Sequence, residues 1–383
     1  MGFMAAHMKP PQPVAERTKH PFLTYDMIQE IPDAIKITME SSSTRLEAIA
    51  GRIQRKSSYY FTGCGTAFFS AMLGSNVLSL TCGDLNFASV QALELANHHP
   101  ISENSAVFGV SHSGITKATL DSLRAVKAKG GYAIGITHFS DRPISKVADE
   151  TLVVGNGPDK SRCHTKCYPA GALPLTSIEV ELLEQRRAVP SDRLQAIRSE
   201  LAELPRLAKK VLASTESAMK ELAEESAGKR TIYFAGTGGS YPNSLEAALK
   251  VMETSYLPAQ GFETEQLLHG PWVSLDDAVL VFVMATENRT YARSLDCIKA
   301  ALSLGSKVIP LVFEDDRDAK SICENAVELP RIDEQLAPYL SIIPLYLFSY
   351  YLSLQLGNNP DYLRYLTPAY WNARTIIFPP GTH

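Results

Sequence analysis

The chain has 383 residues, 45% of them apolar, which is enough to bury a sizeable core and predicts two domains. Net charge is -4, with 37 Lys and Arg against 41 Asp and Glu. No basic block is interleaved with aromatic residues, which excludes the electrostatic footprint of a nucleic-acid binder and points to a diffusible substrate.

No apolar run of about eighteen residues, the length of a membrane span, stands out, and the first residues lack the apolar stretch of a signal peptide. A cytoplasmic protein with no membrane partner is expected. Six cysteines, Cys64, Cys82, Cys163, Cys167, Cys297 and Cys323, are sparse for this length and read as reduced thiols.

In chain order, residues 1–18, with three prolines, read as a disordered leader, and 19–55 as lead-in helices. From Ser58 a unit of β-rich run, Gly/Ser/Thr turn and helical pattern recurs, which predicts parallel sheets flanked by helices. In the first domain, 56–190, the strands are read at Tyr59–Phe61, Ala106–Val110, Tyr132–Ile136 and Thr151–Val154. Residues 191–228 are rich in Glu, Lys, Leu and Ala and read as linker helices. In the second domain, 229–360, strands are read at Thr231–Phe234, Ala278–Met284, Lys307–Val312 and Ala326–Leu329, and 361–383 form a tail. The turn Gly63-Cys64-Gly65 returns as Gly236-Thr237-Gly238 about 170 residues later, a duplicated domain and not a solenoid. Ligands of such sheets bind outside the carboxyl ends of the strands, where the Gly/Ser loops fall.

The run Ala106–Val110 delivers Ser111-His112-Ser113-Gly114-Ile115-Thr116 into a helical stretch. Hydroxyls and backbone N–H groups at a helix start suit a phosphate dianion, and Gly114 permits close approach. The same residues also make ordinary helix caps, which need no ligand. A second turn, Gly63-Cys64-Gly65-Thr66, is placed to wall the same pocket. Neither loop has the spacing of a dinucleotide fingerprint or is followed by a Walker lysine, so NAD and ATP are disfavoured and no cofactor is expected.

The segment 240–256 opens with Ser240 as a cap and then Pro242, and carries Glu246, Lys250 and Glu253 on one face of a helix, within a sector of about 60°. These residues either line a pocket edge or form a solvated face with an i, i+4 ion pair. Sixteen residues past Glu253 stands His269, in Leu267-Leu268-His269-Gly270-Pro271. Moving a proton between C1 and C2 of a sugar phosphate takes a carboxylate base, a proton donor for the oxygens, a ring-opening group and a phosphate anchor, and the chain offers a candidate for each.

At these residues the chain resembles the tandem sugar isomerase (SIS) domain family, in particular the isomerase half of glucosamine-6-phosphate synthase. The resemblance rests on Cys64-Gly65-Thr66-Ala67, on Ser111 to Thr116, on Glu246-Ala247-Ala248-Leu249-Lys250-Val251-Met252-Glu253, on His269-Gly270-Pro271, and on a lead-in at Ile28 to Ile35. It implies an α/β architecture of two flavodoxin-like, doubly wound parallel-sheet SIS domains in tandem with linking helices. It further implies a homodimer in which His269 closes the neighbouring subunit's site, and a phosphorylated sugar or aminosugar as substrate. By the same resemblance Ser111, Ser113 and Thr116 hold the phosphate with Thr66, while Cys64, Gly65, His112, Thr165 and Lys166 are further substrate contacts. Glu253 shuttles the carbon-bound proton, Lys250 handles the oxygen-bound one, Glu246 orients Lys250, and His269 opens the ring.

The chain departs from the family at His112, Ile115 and Ala67, at Cys163-His164 before Thr165-Lys166, and at Pro368, where the synthase carries an imine-forming lysine. Imine catalysis and glutamine use are therefore not expected, the latter because only a short polar stretch precedes the lead-in. Cys163, His164 and Cys167 lack a fourth ligand at a familiar spacing, and no metal is expected. The reading is a phosphosugar isomerase or an aminosugar-phosphate deaminase, with a non-catalytic phosphosugar-binding sensor as the alternative.

Overall fold

The computed structural model describes residues 17–81 and 85–379, so Cys82 and nearly all of the expected leader lie outside it. The first sheet contains β1 (Ser58–Thr62), β2 (Asn86–Ser89), β3 (Ser105–Val110), β4 (Tyr132–Thr137) and β5 (Glu150–Val153), in the order β2-β1-β3-β4-β5. The second contains β6 (Thr231–Gly236), β7 (Ala259–Glu263), β8 (Val279–Met284), β9 (Lys307–Phe313) and β10 (Val327–Leu329), in the order β10-β9-β8-β6-β7. Read from its other edge the second order matches the first, and both are the flavodoxin-like order. Every pairing is parallel. The sequence reading found four strands in each half and missed the same edge strand twice, β2 and β7.

The central strands β3 and β8 are buried along their whole length, as continuous apolar runs in a doubly covered sheet should be. The duplication extends to side chains: Phe61 stacks on Phe108 at 4.9 Å in one sheet, and Phe234 on Phe282 at 5.1 Å in the other. It extends to the turns as well. A Cβ on Gly63 would stand 2.8 Å from the Ala67 backbone, and one on Gly236 2.6 Å from the Ser240 backbone, so only glycine lets each strand turn so tightly into its helix.

The expected linker helices are one helix, Ser191–Ser226, which runs through Pro205. It packs against Ala337–Gln355, and residues of both halves join one continuous apolar core. Contrary to the sequence reading, Ala337–Gln355 is long and apolar enough to cross a membrane, with a mean hydropathy of 1.2, but 94% of that window is buried inside the fold. Its apolar character serves the core. The lead-in forms two helices, Leu23–Gln29 and Ile31–Ile53, and Asp361 accepts the N–H groups of Leu23 and Thr24 at 3.0 and 2.8 Å, tying the far end of the chain to the start of the first helix.

Candidate active site

The helix Ser240–Ser255 follows β6 directly. Gly239 is its N-cap, without a side-chain capping bond, so Ser240 is the first helical residue and not the expected cap. Tyr168 Oη donates to Asn243 Oδ1 (2.6 Å), and Asn243 Nδ2 donates to the Pro338 carbonyl (2.7 Å), which fixes this helix between Cys167–Gln185 and Ala337–Gln355.

Its polar face points inward, which removes the solvated-face reading. The side chains of Glu246 and Lys250 are 0% and 1% exposed, and that of Glu253 is 23% exposed. Lys250 Nζ donates to Glu253 Oε2 at 2.6 Å and lies 3.4 Å from Glu246 Oε1. Tyr346 Oη donates to the same Glu246 oxygen at 2.9 Å, while Glu246 Oε2 has no partner. Burial pushes the Glu246 carboxyl up to about 7, against the pull of Lys250 and the hydrogen bonds from Tyr346 and Thr66. Burial alone would lower Lys250, but the Glu246 and Glu253 carboxylates overcome it and hold the ammonium above its ordinary value. Lys250 is thus held as a fixed ammonium beside a carboxyl that titrates near neutrality. Such a group costs several kcal/mol of desolvation per ion, so stability does not explain it, and perturbed carboxyls of this kind cluster at reaction sites.

The first half reaches into this cluster through Thr66, at the start of the helix Thr66–Gly74, which packs against Ser240–Ser255. The Thr66 hydroxyl accepts from Lys250 (3.0 Å) and donates to Glu246 (3.4 Å). Expected at the phosphate, it is bonded to Lys250 and Glu246.

The loop 111–116 leaves β3, the strand paired with β1, so it emerges beside the Gly63–Gly65 turn. Buried Ser111 donates to Thr116 Oγ1 (3.0 Å) and accepts the Thr116 N–H (3.4 Å). Thr116 is the N-cap of Lys117–Ala128 but makes no side-chain capping bond, so the capping alternative is not realised by its hydroxyl. Ser113 and Thr116 are half-buried. Gly114 has φ +70°, and a Cβ there would stand 2.6 Å from Arg142 Cβ.

Other expected contacts are placed differently. The His112 ring is buried against His138 and His164, at ring-centroid distances of 5.4 and 5.8 Å. Thr165 bonds Asp159, and buried Lys166 donates to Glu30 Oε2 at 2.6 Å. Cys64 and Gly65 are exposed, and Gly65 has φ +56°. His269 is exposed on its own chain, with Nδ1 2.8 Å from the Glu265 carbonyl, and no hydrogen bond or ion pair joins it to Glu246, Lys250 or Glu253. Cys163 is 3.8 Å from Glu253 Oε2.

Glu253 also lines an open cleft of about 340 Å³ with Met252, Tyr256, Leu363, Arg364, Tyr365 and Tyr370. The Arg364 guanidinium lies 3.9 Å from the Tyr256 ring centroid. Arg364 lies four residues before Pro368, one of the departures read in the sequence, so a signal for this stretch was present. Tyr346 and Tyr256 carried none, because only the folded chain brings them to Glu246 and Glu253.

Two doubly wound domains, one presenting a hydroxyl loop and the other a buried Glu-Lys-Glu face, define a two-domain α/β protein with a buried ionisable cluster at their junction. The SIS domain model matches residues 52–180 and 227–356, and the chain belongs to the SIS domain family. It is 28% identical over 359 residues to a glutamine–fructose-6-phosphate aminotransferase (isomerizing) of Clostridium tetani, a match covering 91% of this chain and 58% of that protein. The chain therefore spans a little over half of the curated relatives it matches. Among solved structures it is similar to the C-terminal domain of glucosamine-fructose-6-phosphate aminotransferase from Francisella tularensis, with TM-score 0.82, 20% identity and coverage of 91% of this chain and 100% of that one. It is also similar to glucosamine-6-phosphate deaminase from Thermotoga maritima, with TM-score 0.70, 21% identity and coverage of 88% and 96%.

Proposed function

We propose that the protein is a phosphosugar isomerase or aminosugar-phosphate deaminase that moves a proton between C1 and C2 of a hexose or aminohexose 6-phosphate. One observation carries the reading: Lys250, almost wholly buried, donates to Glu253 while Thr66 from the other half of the chain holds its ammonium. The names of the relatives, an isomerizing aminotransferase and a deaminase, support the same substrate class.

In this reading the phosphate sits on Ser111, Ser113 and Thr116, where hydroxyls and helix-start N–H groups carry no charge to repel a dianion. Glu253, the most accessible of the three ionisable groups, removes the proton from one carbon and returns it to the next. Lys250 stabilises the negative charge that develops on the enediolate or enolamine oxygen, which matters most in a dry site. Glu246 keeps Lys250 in place and charged. A sensor role leaves this costly buried cluster without a use.

His269 is assigned to ring opening on a second copy of the chain. Its exposure supports this, as do Trp272 and Val273, exposed apolar residues directly after it. The reading is tested by incubating the protein with fructose, glucosamine and tagatose 6-phosphates, with and without glutamine, and following products by NMR. Turnover of at least one substrate that disappears in Glu253→Gln is expected. Equal turnover by the variant, or none with any hexose or aminohexose 6-phosphate, overturns the proposal.

A further inference from the structure

We propose that the chain holds a zinc ion behind the phosphate loop, on the Cys167 thiolate and the imidazoles of His112 and His138, with Asp159 or His164 in the fourth position. The ligand atoms of His112, His138 and Cys167 all lie within 4.8 Å of one another, and so do those of Asp159, His164 and Cys167. The Cys167 sulfur is common to both triads. Tetrahedral zinc, with bonds of about 2.0–2.3 Å, brings its ligands to roughly 3.5 Å apart, so small side-chain rotations close the set.

Independent evidence comes from hydrogen bonding. His112 and His138 are more than nine-tenths buried, and neither nitrogen of either ring has a protein hydrogen-bond partner of ordinary geometry, apart from an approach of His138 to the Val154 backbone. Buried imidazoles normally find partners, and two buried rings that lack ordinary ones, each with a nitrogen within 4.8 Å of the Cys167 sulfur, are what a metal ligand set looks like without its ion. A mixed N, S and O donor set selects zinc over magnesium or calcium, which prefer oxygen alone. Binding releases the Cys167 thiol proton to solvent. Asp159 already accepts the N–H groups of Thr165, Lys166 and Cys167 at 3.2, 3.3 and 3.2 Å, which prepares the start of the helix Cys167–Gln185 for the ion. His164, less buried than the others, offers a route of entry.

The sequence spacing of Cys163, His164 and Cys167 concealed this arrangement, because Cys163 turns toward Glu253 while His112 and His138 come from the loops that follow β3 and β4. One ligand, His112, lies between Ser111 and Ser113, so the ion would set the shape of the loop without touching substrate.

The test is elemental analysis of the full-length protein purified without chelator, followed by cobalt substitution. About one zinc per chain is expected, as is a near-ultraviolet thiolate-to-cobalt band that Cys167→Ser abolishes. His138→Gln, checked for folding by circular dichroism, should weaken cobalt binding at least about tenfold. Both readouts are independent of turnover, so they stand whatever the substrate proves to be. Absence of zinc together with cobalt binding no tighter than millimolar overturns the proposal, as does a cobalt spectrum unchanged by Cys167→Ser in folded protein.

Discussion

The loop after β3 and the loop after β8 hold equivalent positions in their sheets, but they differ in charge and in how their hydroxyls are used. The first is Ser111 to Thr116, uncharged apart from a buried imidazole. The second is Thr286-Glu287-Asn288-Arg289-Thr290, where Thr290 is bonded to Asn288 and Thr237 and Glu287 pairs with Arg331. The turns before the paired helices match in the two halves, with Gly65 at φ +56° and Gly238 at φ +53°. The helices after them diverge: Thr66–Gly74 carries no charged side chain, while Ser240–Ser255 carries two carboxylates and an ammonium. A dianion beside two carboxylates would be repelled, so under the proposed function the phosphate and the base fall to different copies of one fold, which meet where Thr66 bonds Lys250.

This division predicts that changes in the second half reduce kcat and those in the first half raise KM. Glu253→Gln should lower kcat by about 10²–10⁴-fold with little change in KM, measured in steady state on the substrate that turns over. Lys250→Met strands the Glu246 carboxylate and should cost about 3–5 kcal/mol of stability at pH 8. The loss should shrink at pH 5, where Glu246 is protonated, and urea unfolding at the two pH values measures it. Ser113→Ala should raise KM by about tenfold or more while leaving kcat near normal, since a hydrogen bond to a charged group contributes about 1.5–3 kcal/mol.

The smallest effect falls on Glu246. Its folded value, about 7, lies above the ordinary 4.5, so the folded state binds the extra proton. Its contribution to stability is therefore present below the ordinary value and is lost as pH rises through about 7. Glu246→Gln should flatten that slope, and Tyr346→Phe, which removes a bond that lowers the value, should move it to higher pH. Slopes unchanged in both variants would assign the titration to another group. The division between subunits can be tested as well. Mixing inactive His269→Ala with inactive Glu253→Gln should restore about a quarter of wild-type activity if His269 acts across a dimer, and none if it acts within its own chain.

The central strands, the glycine turns and the shared face of residues 246–253 were legible because they follow local periodicity and sterics. The edge strands were not. Asn86–Ser89 is a short, largely half-buried run beginning with a polar Asn, and Ala259–Glu263 contains Gly261, whose Cβ would meet the Ser244 backbone at 2.3 Å; both lack the apolar alternation that marks a strand. Spacing placed Glu246, Lys250 and Glu253 together but could not show their burial, which depends on Tyr346 a hundred residues later. The His112, His138 and Cys167 cluster was hidden for the same reason, since its members come from separate strand ends.

Hydrogen exchange at carbon tests the central claim most directly. With the active 6-phosphate in D₂O, the wild-type protein should wash deuterium into C1 or C2, as followed by proton NMR, and Glu253→Gln should show no incorporation above the uncatalysed background. Undiminished incorporation by the variant would contradict Glu253 as the proton carrier.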